Sequence, residues 1–170
     1  MKTHTINHSY RGKLLTLMVE NIKPWYRLLV KKTRTPWIIN QTQLQQFPKH
    51  SLGKDLALFL QKEQLELMPF FEEHDIMHIL LGYRNTVLEE AQMQFFLLGN
   101  GKRTVFTLGA CFLSVLLLPE YTKQFLQDYK KGKEALSLAK WDFRYLLCEP
   151  TQVLKNLLHR APSPQRPFIF

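Results

Sequence analysis

The most chemically informative part of the sequence is a run that places two histidines and two carboxylates close together. A His-Asp-x-x-His motif occupies residues 74–78, and Glu90 follows it after eleven intervening residues. Imidazole nitrogens and carboxylate oxygens are protein ligands of zinc, iron and manganese. His74 and His78 are four residues apart, so a helix places them on one face, with Asp75 at its edge. The pattern predicts a divalent metal site at His74, Asp75, His78 and Glu90.

Apolar residues around this motif indicate a helix at residues 71–82 that packs into the protein interior. Burying the histidines and the aspartate would cost on the order of several kcal/mol unless they are paired or bind a metal. Residues 82–85 predict a turn, and Thr86 with Glu89 predicts a capping box that opens the next helix. This arrangement leaves Glu90 free to point toward the histidines.

Two alternatives use the same residues without this metal site. In the first, the histidines are ordinary core or surface residues, and Asp75 pairs with Arg84. In the second, the His-Asp pair belongs to an HD-type phosphohydrolase. That class needs further histidine and aspartate ligands on separate helices, and the sequence offers only poor candidates, namely His50, Asp128 and Asp142.

The composition predicts an all-α fold. Hydrophobic residues make up 45% of the 170 residues, which excludes a mainly disordered chain. Glycines are few, and helical patterns flank the single Asn-Gly pair at residues 100–101. We expect one helical domain at residues 1–160, a bundle of about seven helices with a lipid-accessible apolar groove, and a disordered tail at 161–170. Cys111 and Cys148 form no Cys-x-x-Cys pair, and a reducing, cytoplasmic setting is the expectation.

Apolar periodicity and capping residues place the individual helices. Residues 33–49 have little periodicity and predict a long loop. Residues 104–118 are almost wholly apolar but too few for a comfortable bilayer span. They predict a central core helix, and the alternative is a re-entrant, lipid-facing helix. The predicted helices lie at residues 11–21, 24–32, 51–62, 71–82, 87–98, 104–118, 119–131 and from 150 onward.

The net charge of +9 predicts an acidic partner. No nucleic-acid-binding motif accompanies the basic residues, which makes nucleic acid the weaker choice. Residues 13–19 and 24–32 combine apolar blocks with basic flanks, and Trp25, Tyr26 and Trp37 suit a lipid headgroup boundary. The sequence therefore favours peripheral association with a membrane surface. The alternative is that these are ordinary solvated basic faces over a core.

The metal motif with its spacing to Glu90 resembles the signature of the coenzyme Q biosynthesis protein 4 family. Residues 47–53, Phe-Pro-Lys-His-Ser-Leu-Gly, are similar to that family's Pro-x-x-Ser/Thr-Leu-Gly helix start. Residues 79–83, Ile-Leu-Leu-Gly-Tyr, and the tryptophan-containing segment at 141–147 follow in the family's order. The resemblance spans about residues 47–158. It identifies the chain as a divergent, bacterial member.

The resemblance implies an α-helical, membrane-associated protein of ubiquinone biosynthesis with a divalent metal, most often zinc, on the four motif residues. Iron and manganese also fit these ligands. Family members are credited with removing the C1 carboxylate of a prenylated hydroxybenzoate, which would make the protein a metal-dependent carbon-carbon lyase, and with organising other enzymes of the pathway. The alternative is a non-catalytic scaffold that binds a prenyl lipid. No general acid is assigned, and a homodimer is left open. An isoprenoid tail between helices would contact Phe95, Leu98, Phe106 and Phe112.

The sequence departs from the family pattern at three acidic residues near the motif. Glu72 and Glu73 precede His74, and Glu89 stands where the family usually has glycine. These charges lie where an anionic benzoate would bind. They leave open a different prenylated or lipidic substrate.

Overall fold

The computed structural model describes residues 35–159, and this part of the chain is helical. It contains seven α-helices and no β-strand, which confirms the predicted all-α class. The expected helices at residues 11–21 and 24–32 and the expected tail at 161–170 lie outside the described residues. The helices are α1 (Gln41–Leu44), α2 (Leu52–Lys62), α3 (Glu72–Leu81), α4 (Val87–Gly99), α5 (Val105–Leu117), α6 (Thr122–Glu134) and α7 (Thr151–Leu158).

Three of the seven described α-helices begin after a hydroxyl residue that satisfies a free backbone N–H group. Ser51, Thr86 and Thr104 precede α2, α4 and α5, and each side-chain oxygen accepts a hydrogen bond from the N–H three residues on. Gly82 ends α3 with a φ of 75°, a left-handed conformation that glycine adopts without strain. The turn between α3 and α4 is therefore encoded locally.

One element differs from the sequence-based expectation. The short helix α1 lies inside the segment expected to be a loop. Its cause is local, because Asn40 and Gln43 form a reciprocal capping box that sequence periodicity does not report.

Helix α4 lies between two hydrophobic clusters. Its residues Met93, Phe96 and Leu97 join the larger cluster with α2, α3, α7 and the segment 138–147. On its other side, α4 packs against α5 and α6 in a second cluster. The buried members of that cluster are Leu88, Ala91, Phe95, Cys111, Leu118 and Phe125. Because α4 contributes residues to both clusters, it connects α3, which carries the two histidines, to α5 and α6.

Helices α4 and α6 approach each other closely at two glycines. A Cβ atom on Gly99 would lie 2.0 Å from the carbonyl oxygen of Tyr129, and one on Gly132 would lie 2.0 Å from that of Phe96. No side chain fits at either position. The two glycines let the backbones touch, and α6 thereby reaches the region behind the metal motif.

The prediction that residues 104–118 form a central core helix is wrong. The buried residues of α5 are Thr107, Cys111 and Ser114, whereas Phe112 is 69% exposed and Leu116 is 64% exposed. The hydroxyls of Thr107 and Ser114 are hydrogen-bonded locally, which allows them to be buried. The larger apolar side chains consequently lie on the outer face, where no described residue covers them.

Among the described residues, no single helix is both long and apolar enough to cross a membrane. Helix α5 together with residues 119–134 passes that test by length and composition, as a pair bent by 105°.

Candidate metal centre

Helices α3 and α4 bring three of the four predicted ligands together. His74 and His78 lie one turn apart on α3, and their Nε2 atoms are 3.3 Å from each other. The Oε1 atom of Glu90, on α4, lies 2.8 Å from His78 Nε2 and 3.4 Å from His74 Nε2. Within residues 35–159, this is the group of histidine, cysteine and acidic side chains whose geometry suits a metal ion.

The three atoms fit a tetrahedral metal site. Ligands about 2.0–2.1 Å from zinc at tetrahedral angles are roughly 3.3 Å from one another. The observed separations of 2.8–3.4 Å bracket that value. Two imidazoles and a carboxylate are the three-ligand set of several catalytic zinc sites, which keep a fourth position for water or substrate.

The His78 imidazole is held by contacts on two further sides. Its Nδ1 atom is 3.0 Å from the carbonyl oxygen of Tyr83. A carbonyl only accepts hydrogen bonds, so Nδ1 carries the proton and Nε2 is directed toward Glu90. The ring also stacks on Phe59, with centroids 5.4 Å apart. A second hydrogen bond of this kind is what orients metal-binding histidines in proteins.

Asp75 does not join the three ligand atoms. Its side chain is buried on α3 beside them, and that burial raises its pKa to about 6. Charge interactions with the neighbouring imidazoles offset part of this rise in the Asp75 pKa. The prediction of Asp75 as a fourth ligand stays untested, while the alternative of a pair between Asp75 and Arg84 is wrong, because Arg84 pairs with Glu89.

Glu89 and Glu90 have separate roles, as their order in the sequence predicts. Thr86 caps α4 by accepting a hydrogen bond from the Glu89 N–H. The Glu89 carboxylate, however, accepts from the Arg84 backbone and guanidinium at 2.7 and 2.6 Å rather than closing the predicted capping box. It is therefore occupied, and Glu90 alone turns toward the histidines.

Glu72 also has a structural partner. It is buried and accepts a hydrogen bond from the backbone N–H of Trp37 at 3.0 Å. Two of the three acidic residues that distinguish this chain from the family pattern, Glu72 and Glu89, thus hold local structure. Their charge is directed at protein donors.

The electrostatics of His78 and Glu90 favour an ionised carboxylate beside a protonated His78 imidazole. Burial alone would lower the pKa of His78, but its hydrogen bond to Glu90 and the charge of Glu90 raise it above its usual value. Burial would raise the pKa of Glu90, and the hydrogen bonds from His74 and His78 outweigh that and lower it. A metal ion would take the place of the His78 proton, so its affinity would fall at acid pH.

The four residues predicted to contact an isoprenoid tail lie in different environments. Phe95 is buried, with its ring stacked on Phe125 at a centroid distance of 4.8 Å. Leu98 packs against the same cluster, Phe106 is partly exposed, and Phe112 lies on the outer face of α5. Lipid binding by these residues stays a prediction.

The sequence offered Asp128 only as a poor metal ligand of the HD-type alternative, and its role behind the site was not predicted. Asp128 on α6 is 1% exposed and accepts hydrogen bonds from Tyr83, Gln92 and Lys131. A usable signal was present, because Asp128 shares a helical stripe with Phe125 and Gly132, which are both buried. An aspartate at such a position needs partners.

Comparison with known proteins identifies the fold. No protein-family model and no curated protein matches the sequence. A crystal structure from Nostoc punctiforme, named a "putative ubiquinone biosynthesis protein", is similar with a TM-score of 0.60. The similarity covers 92% of this chain and 84% of that chain, at 16% sequence identity. The chain shares the fold of that protein.

Proposed function

We propose that the protein binds a divalent metal through His74, His78 and Glu90 and acts with it in ubiquinone biosynthesis. The observation that carries this proposal is the triangle of two Nε2 atoms and one Oε1 atom with edges of 2.8–3.4 Å. Zinc suits this ligand set, as do iron and manganese. The shared fold with a protein named for ubiquinone biosynthesis supports the pathway, together with the resemblance of the motif.

The proposed reaction removes the C1 carboxylate from a prenylated hydroxybenzoate. The bond between the ring and the carboxyl carbon breaks, carbon dioxide leaves, and the ring carbon takes up a proton. The metal, when bound, would stabilise the negative charge that develops on the substrate. The chain's own residues prepare this site: Tyr83 orients His78, Phe59 covers one face of its ring, and Glu90 stays ionised.

A membrane surface is the proposed location. The outer face of α5 exposes Val105, Leu108, Phe112, Val115 and Leu116. Exposed basic residues stand at both ends of the helix, Arg103 before it and Lys123 after it. An apolar face with basic flanks suits a bilayer that contains anionic lipids. The substrate's prenyl tail would be drawn from the same bilayer.

The second candidate is a non-catalytic scaffold that binds a prenyl lipid. The specific observation in its favour is the same α5 face, which is formed without any contribution from the three ligand residues. In this alternative, the metal would tie α3 to α4 and take no part in chemistry.

Metal binding is tested by stripping the protein with a chelator and titrating zinc by calorimetry. We expect one zinc per chain, and losses of affinity of at least about 100-fold for His78→Ala and Glu90→Gln. The matched control is His159→Ala, which removes an exposed histidine at the end of α7 and should keep the wild-type affinity. A wild-type protein that binds no divalent metal would overturn the proposal.

Turnover separates the two candidates. A prenylated hydroxybenzoate with an isotopically labelled carboxyl group is incubated with the metal-loaded protein, and labelled carbon dioxide is collected. If the protein is the enzyme, the wild type should release labelled carbon dioxide. The His78→Ala variant should release none, with folding and vesicle binding unchanged. Absence of release from a metal-loaded wild type that still binds the lipid would favour the scaffold.

A further inference from the structure

The buried carboxylate of Asp128 is hydrogen-bonded to both segments that carry the proposed metal ligands, through Tyr83 after α3 and Gln92 on α4. Asp128 belongs to α6, a helix that contributes no ligand. Its Oδ1 accepts a hydrogen bond from the Tyr83 hydroxyl at 2.9 Å, and its Oδ2 accepts one from Gln92 Nε2 at 2.9 Å. Lys131 donates to Oδ1 at 2.7 Å and balances the charge from its exposed position. Both oxygens are satisfied, as burial of a carboxylate requires.

The first of these contacts leads directly to a ligand. Tyr83 is held at both ends: its phenol donates to Asp128, and its backbone carbonyl accepts from His78 Nδ1 at 3.0 Å. Residues 82 and 83 follow the left-handed end of α3, where no helical hydrogen bond fixes the carbonyl. The phenol anchor therefore determines where that carbonyl points, and the carbonyl determines the direction of His78 Nε2.

The second contact leads to the other ligand-bearing helix. Gln92 lies two residues after Glu90 on α4, so the two side chains project from nearly opposite sides of the helix. Glu90 reaches toward α3, and Gln92 reaches toward α6. Asp128 thus fixes α4 from behind while it fixes the end of α3 through Tyr83.

We infer that Asp128 is a positioning residue of the metal centre, which sets the distance between His78 and Glu90 by holding Tyr83 and Gln92 at once. The inference rests on the proposed metal site and adds a residue from a third helix to it. Outer hydrogen-bonding partners of metal ligands typically contribute 10–100-fold to metal affinity.

The experiment compares zinc affinity, the visible absorption spectrum of the cobalt(II)-substituted protein, and urea unfolding of the metal-free protein. Asp128→Asn keeps the shape and removes the charge, and Tyr83→Phe removes the phenol donor and keeps the ring and the carbonyl. We expect each variant to bind zinc about tenfold more weakly, with an altered cobalt spectrum. The double variant should be about as weak as Asp128→Asn alone, because Tyr83→Phe breaks one of the two connections that Asp128→Asn already disturbs.

The matched control is Asn100→Ala. The Asn100 side chain also links α4 to the end of α6 through bonds to Gly132 and Leu136, but it leads to no ligand. It should lower the free energy of unfolding and leave zinc affinity and the cobalt spectrum unchanged.

A failure of the Asp128 inference and a failure of the proposed metal site give different results. If Asp128→Asn and Tyr83→Phe lose stability but keep wild-type zinc affinity and cobalt spectrum, Asp128 has only a structural role and the inference is overturned. If the wild type itself binds neither zinc nor cobalt, the proposed function fails with it. Should Asp128→Asn not fold, Tyr83→Phe alone decides the question.

Discussion

Helices α4 and α5 are both thirteen residues long, are neighbours in the chain and pack against each other, yet they use apolar residues in opposite ways. Helix α4 buries seven residues, five of them large and apolar, and directs Glu90 to the metal centre. Helix α5 has more apolar side chains facing outward and buries a threonine, a cysteine and a serine.

The difference shows that apolar composition does not determine which face of a helix is buried. Helix α4 has partners on two sides, so nearly every apolar side chain finds a cluster. Within the described part of the chain, helix α5 has one partner surface, and its small residues Cys111 and Ser114 let it approach closely. Its bulky residues are left for another surface, which we propose to be lipid.

The largest expected contrast is between two phenylalanines. Phe95→Ala on α4 should lower the free energy of unfolding by about 3–5 kcal/mol, because it empties a buried site stacked on Phe125. Phe112→Ala on α5 should change it by at most about 0.5 kcal/mol, because the ring is mostly exposed. Urea unfolding followed by circular dichroism measures both. Equal losses would contradict the assigned faces.

One glycine in each helix, Gly99 in α4 and Gly109 in α5, tests the same comparison at the backbone. Gly99→Ala should destabilise the protein by about 3 kcal/mol, because its Cβ would collide with the Tyr129 carbonyl. Gly109→Ala on α5 meets nothing within 4 Å and should stabilise it by about 0.5–1 kcal/mol through helix propensity. The same unfolding measurement applies. A stabilising Gly99→Ala would show that α4 and α6 are not in contact there.

The third prediction concerns the buried carboxyl of Asp75, on α3 beside Glu90 of α4, and its effect on stability at different pH values. The folded-state pKa of Asp75 is raised from 3.8 to about 6, so its protonated form is favoured by folding. This contribution to stability is present below about pH 4 and is lost as pH rises through 6. Asp75→Asn should therefore stabilise the metal-free protein by about 2–3 kcal/mol at pH 7.5 and by less than half of that near pH 4.5. Unfolding at the two pH values checks this, and a gain that is larger at the lower pH would refute it.

The smallest expected effect concerns the outer face of α5. The double variant Phe112→Ser, Leu116→Ser should partition about tenfold more weakly onto vesicles with anionic lipids, a loss of about 1.4 kcal/mol. Tyr145→Ser is the control, because Tyr145 is as exposed but lies far along the chain from α5. Cosedimentation measures the partition. If both variants bind like the wild type, α5 is not the membrane face.

Local sequence signals predicted much of the helical layout. Ser51, Thr86 and Gly82 mark helix ends because capping and left-handed turns depend on a few adjacent residues. The short α1 and the orientation of α5 could not be obtained in this way. The first depends on a single capping pair, and the second depends on which neighbours happen to cover each face.

The candidate site also has features that short-range sequence determines and features that only helix packing determines. The sequence by itself determined that His74 and His78 share a helical face and that Glu90 lies in the first turn of the next helix, because these are consequences of short-range spacing. Only the tertiary structure decided that the Glu90 carboxylate lies against both imidazoles, and that Asp128, fifty residues after His78, lies behind them with a hydrogen bond from Tyr83. Such contacts depend on how separate helices pack, and periodicity within each helix does not specify that packing.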